Sequence, residues 1–140
     1  MDALGRDDLL DFLNAMLEAE RAGAKALLHI ARDTKRNDVA ALAKEIHKDE
    51  ARWCAMLTTA IRRLEGDPSS RTGQFYEKVM AIPEDNARLG FVNRGQEWVV
   101  RKLREALPKV TDPGLSDNLS EMLSSHEDNI ARVARSGVIN

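Results

Sequence analysis

Aromatic side chains are scarce in this chain, with three Phe, two Trp and one Tyr among 140 residues. A composition of 4% aromatic, 43% hydrophobic and 31% charged residues suits an all-α protein in water better than a sandwich or barrel. Cysteine is nearly missing: Cys54 alone permits neither an internal disulfide nor a cysteine-based zinc cluster, and a lone helical Cys is read as a small core residue. Four Pro and eight Gly leave long stretches unbroken. Neither charge sign dominates. With 21 basic and 23 acidic residues interspersed, the net charge of −2 gives no field to steer nucleic acid or an anionic membrane, and neither partner is expected. No apolar run approaches the roughly 20 residues that span a bilayer. The opening "MDALGRDDLLDFL" lacks a basic region followed by an apolar stretch, so a cytoplasmic location is expected.

The length corresponds to one domain, residues 1–140, with one core. Four long segments carry a helical period. The first runs from about Asp7 to Arg32, with Asp7 or Asp8 as the expected cap. The second begins near Asn37 or Asp38 and runs to about Glu65, where Gly66, Asp67 and Pro68 stop it. The third opens at Pro83 or Glu84 and ends at Leu107 before Pro108; the fourth follows "TDPG", with Asp112 and Pro113 as cap and first-turn pair, and runs to about Arg135. Short turns join the first pair and the last pair into antiparallel hairpins. Between them lies "GDPSSRTGQFYEKVMAI", long enough to travel the length of a bundle, and the spacing of Phe75, Val79 and Ile82 predicts a short extra helix within it. One long crossover between two hairpins is ferritin-like connectivity; a packed insertion in an up-and-down bundle is the alternative.

Successive helical residues turn by about 100°, which fixes the direction of each side chain. On the first helix Leu9, Leu13, Met16, Ala24, Leu27 and Ala31 fall within about 40° of Glu20, whereas Glu18 points the opposite way. Glu50 is similarly centred among Val39, Ala43, Ile46, Cys54, Leu57, Ile61 and Leu64, with Trp53 and His47 about 60° to either side. Gln96 on the third helix and His126 on the fourth complete the pattern. Each helix thus carries one polar residue at the middle of its apolar face and near its midpoint, so Glu20, Glu50, Gln96 and His126 are expected to meet in one layer. Buried carboxylates persist when paired, hydrogen-bonded or bound to metal, which makes this layer the candidate site.

The stretches "LNAMLEAE" around Glu20, "LHIAR" after it and "DEARW" around Glu50 resemble the ferritin-like superfamily on its bacterioferritin and rubrerythrin side, over about residues 8–135. The chain is also similar to small bacterial ferritin-like domains. The resemblance implies a four-helix bundle in which Glu20 and Glu50 stand at metal glutamates. A complete site in such bundles takes one Glu from each of two helices and Glu-x-x-His from each of the other two. Here Trp53 stands where the histidine partner of Glu50 would be, Gln96 replaces a carboxylate, and Leu123 precedes His126 by three.

Three readings follow. In the first, which the sequence favours, the layer is metal-free: a protonated His126 pairs with Glu50 or Glu20, Gln96 bonds the other, and the layer fixes register. In the second, Glu20, Glu50 and His126 hold one iron, manganese or zinc ion, with Gln96 or water completing the shell and open positions permitting oxidase or peroxidase chemistry. The third is a non-catalytic interaction module. Phe91 and Trp98 project together on the outer side of the third helix, a surface to be covered by a homodimer partner or by the connecting segment. His47 and His29 carry no assigned chemistry, and Trp53 reads as a plug filling the volume of a metal shell.

Overall fold

The computed structural model describes residues 2–137, so the outermost residues of the expected 1–140 unit fall outside it. Among the described residues the chain is all-α: α1 (Arg6–Asp33), α2 (Asn37–Arg63), α3 (Phe75–Met80), α4 (Asp85–Ala106) and α5 (Pro113–Arg135), with a 3-10 turn over Leu107–Lys109. No described helix is long and apolar enough to cross a membrane.

The four long helices lie close to their expected bounds, but their ends are built differently. α1 starts on Gly5 without a side-chain cap, so Asp7 and Asp8 sit inside its first turn and act on the helix dipole as charges. The α2 exit turns on Glu65 at φ 60°, a left-handed conformation that usually falls to Gly. Arg6 secures that exit from across the fold, its Nε and Nη2 donating to the carbonyls of Leu64 at 3.0 Å and Glu65 at 3.2 Å. Asp112 does cap α5, accepting from the Leu115 amide at 2.7 Å, with Pro113 in the first turn. Pro108 does not stop the chain abruptly. The helix tightens into the 3-10 turn instead, because Pro lacks the N–H that another α-helical turn needs.

α1 packs on α2 and α4, α5 packs on α2 and α4, and α3 lies against α1 and α4. Residues 64–84 join α2 to α4. Asn14 anchors their start: its Nδ2 donates to the Asp67 carbonyl at 3.2 Å and its Oδ1 accepts from the Ser69 amide at 2.7 Å. Arg88 holds their end, donating to the carbonyls of Ile82 at 2.5 Å and Met80 at 3.1 Å. α3 is shorter than the spacing of its apolar residues predicts and leaves Ile82 beyond it, but Val79 is wholly buried.

The apolar interior forms two clusters. One holds Leu27, Ile30, Ile46, Val79, Leu89, Val92 and Val133; the other holds Leu13, Leu17, Trp53, Leu57, Val99, Leu103, Leu119 and Met122. On every long helix the boundary between them falls at the polar residue singled out above. Glu20 lies between Leu17 and Ala26, Glu50 between Ile46 and Trp53, Gln96 between Val92 and Val99, and His126 between Met122 and Val133.

Candidate metal centre

All four central residues are buried: Glu20 and His126 are 1% exposed, Glu50 2% and Gln96 3%. His126 Nε2 lies 2.7 Å from Glu20 Oε1 and 3.9 Å from Glu50 Oε2. One ligand-type atom from each of these three residues lies within 4.8 Å of those of the other two. The 2.7 Å approach is close contact without hydrogen-bond alignment, so Glu20 Oε1, Glu50 Oε2, Gln96 Oε1 and His126 Nε2 all lack a hydrogen-bond partner. An unpartnered buried polar atom costs about 1–3 kcal/mol, which makes four of them on four helices a costly arrangement.

Local structure aims these atoms. His126 Nδ1 is 2.9 Å from the Met122 carbonyl one turn back on α5. A carbonyl only accepts, so Nδ1 carries a proton and Nε2 is the ring nitrogen facing the layer. That bond is the outer contact by which metal-ligating histidines are commonly oriented. Gln96 Nε2 donates to Asn93 Oδ1 at 3.4 Å, leaving Oε1 as the free end. Glu50 Oε1 lies 3.3 Å from where a Cβ on Gly23 would be, so glycine at that position makes room for the carboxylate.

Burial disfavours charge on both carboxylates. It pushes Glu20 from its ordinary 4.5 up to about 7, while a hydrogen bond from Glu50 pulls the other way. Glu50 is raised well above the usual range by burial first and the neighbouring Glu20 charge second, with His126 opposing. Cys54 is half-buried on α2, and burial followed by the charges of Glu20 and Glu50 lifts its thiol to about 12. It therefore remains a thiol at neutral pH, neither thiolate ligand nor ready nucleophile.

The other singled-out residues lie around the layer. Trp53 is 2% exposed, more buried than its angle predicts, and its Nε1 donates to Ser125 Oγ at 3.3 Å across α2 and α5. His47 is engaged elsewhere, its Nδ1 2.8 Å from the Ala24 carbonyl. His29 lies beside the Tyr76 ring and Arg32. Phe91 stacks on Phe75 of the connecting segment, with ring centres 5.3 Å apart, so the chain itself supplies that cover; Trp98 is 38% exposed. Two buried polar residues escaped the sequence reading, Asn93 and Asn129, each 3% exposed. Asn129 donates to Asp49 Oδ2 at 3.0 Å and accepts from Arg132, which also pairs with Glu45, so this group braces α2 against α5. Each lies one turn from a central residue and about 60° off its direction, where the apolar period does not separate a buried polar residue from a surface one.

Fold and site together define an all-α protein with a buried carboxylate–imidazole cluster. The chain belongs to the family described as "Domain of unknown function (DUF6306)", whose family model matches residues 7–135. No curated protein and no solved structure matches it.

Proposed function

We propose that this protein is a ferritin-like bundle whose central layer holds one divalent first-row transition ion, iron, manganese or zinc. Glu20, Glu50 and His126 are the protein ligands, and Gln96 Oε1 or water completes the shell. The observation that carries this reading is the convergence of Glu20, Glu50 and His126, each with an unpartnered buried atom, together with the unpartnered Gln96 Oε1 of a residue that lines the same pocket as Glu20 and Glu50. Two carboxylates and a neutral imidazole balance a divalent charge and suit these metals. Ligand bonds of about 2.0–2.2 Å put neighbouring ligand atoms roughly 3–3.5 Å apart, a range bracketed by the 2.7 and 3.9 Å separations at His126 Nε2. A bound ion would supply Lewis acidity and, as iron or manganese, one-electron chemistry.

The ferritin-like assignment is supported by the hairpin pairs α1/α2 and α4/α5, the contacts of α1 with α4 and α2 with α5, and the long stretch 64–84 between the pairs. One ion fits better than two, because Trp53 and Leu123 occupy positions where a second ion would need ligands. A specific observation keeps a second reading in play: burial disfavours charge on Glu20 and Glu50, so a metal-free layer with protonated carboxyls avoids carrying two buried negative charges.

Calorimetric titration of chelator-treated protein with Fe(II), Mn(II) and Zn(II), repeated in buffers of different ionisation enthalpy, separates the two. The metal reading expects one ion per chain with release of protons as the carboxyls deprotonate, and loss of binding in Glu50→Ala and His126→Ala. Absence of stoichiometric uptake of any of the three ions would leave the metal-free polar layer as the function of these residues.

A further inference from the structure

A pocket of about 490 Å3 opens between α1 and α4 beneath residues 72–75, within the roughly 300–1,000 Å3 typical of small-molecule sites. Its origin is local. Ala15, Ala19 and Gly23 recur at four-residue spacing and leave a strip of small residues on α1 facing α4, with the half-buried Glu18 and the exposed Arg94 also lining the space. Across the gap stand the apolar side chains of Phe91, Val92 and Val99, and Phe75 contributes from the connecting segment. The inner end is different. Glu20, Glu50 and Gln96 line it, each at least nine-tenths buried and each with an unpartnered oxygen.

Apolar walls favour an uncharged body, while the floor offers carboxyl and amide oxygens that lack hydrogen-bond partners or, with an ion in the layer, an electrophile. A carboxylate head would bring one more buried charge to a floor that already disfavours two. A hydroxyl satisfies both states, donating to an acceptor when no ion is bound and giving its oxygen as a ligand when one is. We propose that this pocket binds a small apolar phenol or alcohol, seated between α1 and α4 with its hydroxyl at the central layer. The hydroxyl–ion contact rests on the metal reading above; the apolar seat does not.

The probe is 4-butylphenol, titrated calorimetrically into chelator-treated and zinc-treated protein, with 4-butylanisole as the analogue lacking the donor. Expected is saturable one-to-one binding of the phenol, at least tenfold weaker binding of the anisole, and at least a tenfold loss in Ala19→Leu, which fills the pocket. Ala15→Leu, at an exposed position on the rim, provides a second variant if Ala19→Leu does not retain its helical circular dichroism; it too should weaken binding. Lack of saturation, equal affinity for the anisole, or undiminished binding in the folded variants overturns the proposal. Zinc content is measured on the same samples. Protein that takes no ion yet prefers the phenol overturns the metal reading alone, whereas protein that takes the ion but not the phenol overturns the pocket assignment alone.

Discussion

Replacing Glu50 with Gln preserves the side chain's shape and removes the charge that burial opposes. Metal-free Glu50→Gln is expected to be more stable than the parent at pH 8, by about 1–3 kcal/mol in urea unfolding, while losing the ion. A destabilised variant would mean that the carboxylate already has a partner worth more than its desolvation. Gly23→Ala tests the room left for the same group. Ala in a helix interior gains roughly 0.5–1 kcal/mol over Gly, but the new methyl would lie 3.3 Å from Glu50 Oε1. The two effects nearly offset in stability, whereas ion affinity, measured by titration, should fall at least tenfold because the carboxylate is displaced. These residues also show what a sequence can reveal. Glu20, Glu50, Gln96 and His126 stand out because a polar side chain at the centre of an apolar stripe must be buried. Gly23 sends no such signal, and Asn93 and Asn129 lie one turn aside, where a polar residue can reach the surface.

At the scale of elements, α3 and α4 are fastened through a glycine. A Cβ on Gly95 would lie 2.6 Å from the Phe75 ring, which is itself stacked on Phe91 and has little freedom to withdraw. Gly95→Ala should therefore destabilise the protein by about 1–3 kcal/mol despite the better helix propensity of Ala, and thermal unfolding checks it. An unchanged or raised midpoint would mean that Phe75 moves aside at little cost. The helices were legible because their apolar period extends over many turns. Their ends were less so: the caps at Gly5 and Arg36 use no side-chain bond, and Glu65 takes the left-handed turn in place of Gly66. Arg6 reaching Leu64 and Glu65 is a contact between residues nearly sixty positions apart, beyond any local pattern.

For the whole molecule, the buried carboxyls set the pH response. Glu20 rises from 4.5 to about 7 on folding, so between those values the native state binds more protons than the unfolded chain and stability falls as pH rises. At about 1.4 kcal/mol per pH unit, Glu20 alone accounts for roughly 3 kcal/mol of that decline. Glu50, also raised by burial, adds to the decline. Melting temperatures of chelator-treated protein across pH 4.5–8 should descend after allowance for surface charge; a rise would contradict a buried carboxyl pair. A bound ion reverses the slope, because it requires the deprotonated carboxylates. Short linkers predict the two helix pairs, α1 with α2 and α4 with α5, whereas the length of the stretch between the pairs is compatible with either a crossover or a packed insertion. The pocket could not be anticipated, because it depends on how closely α1 approaches α4.

The polar layer also partitions the interior. Neither apolar cluster can lend side chains across it to refill a void in the other, so relaxation after truncation stays on its own side. Paired deletions such as Ile30→Ala with Leu119→Ala should then sum independently, to within about 0.5 kcal/mol, giving one small chain two separately repairable halves.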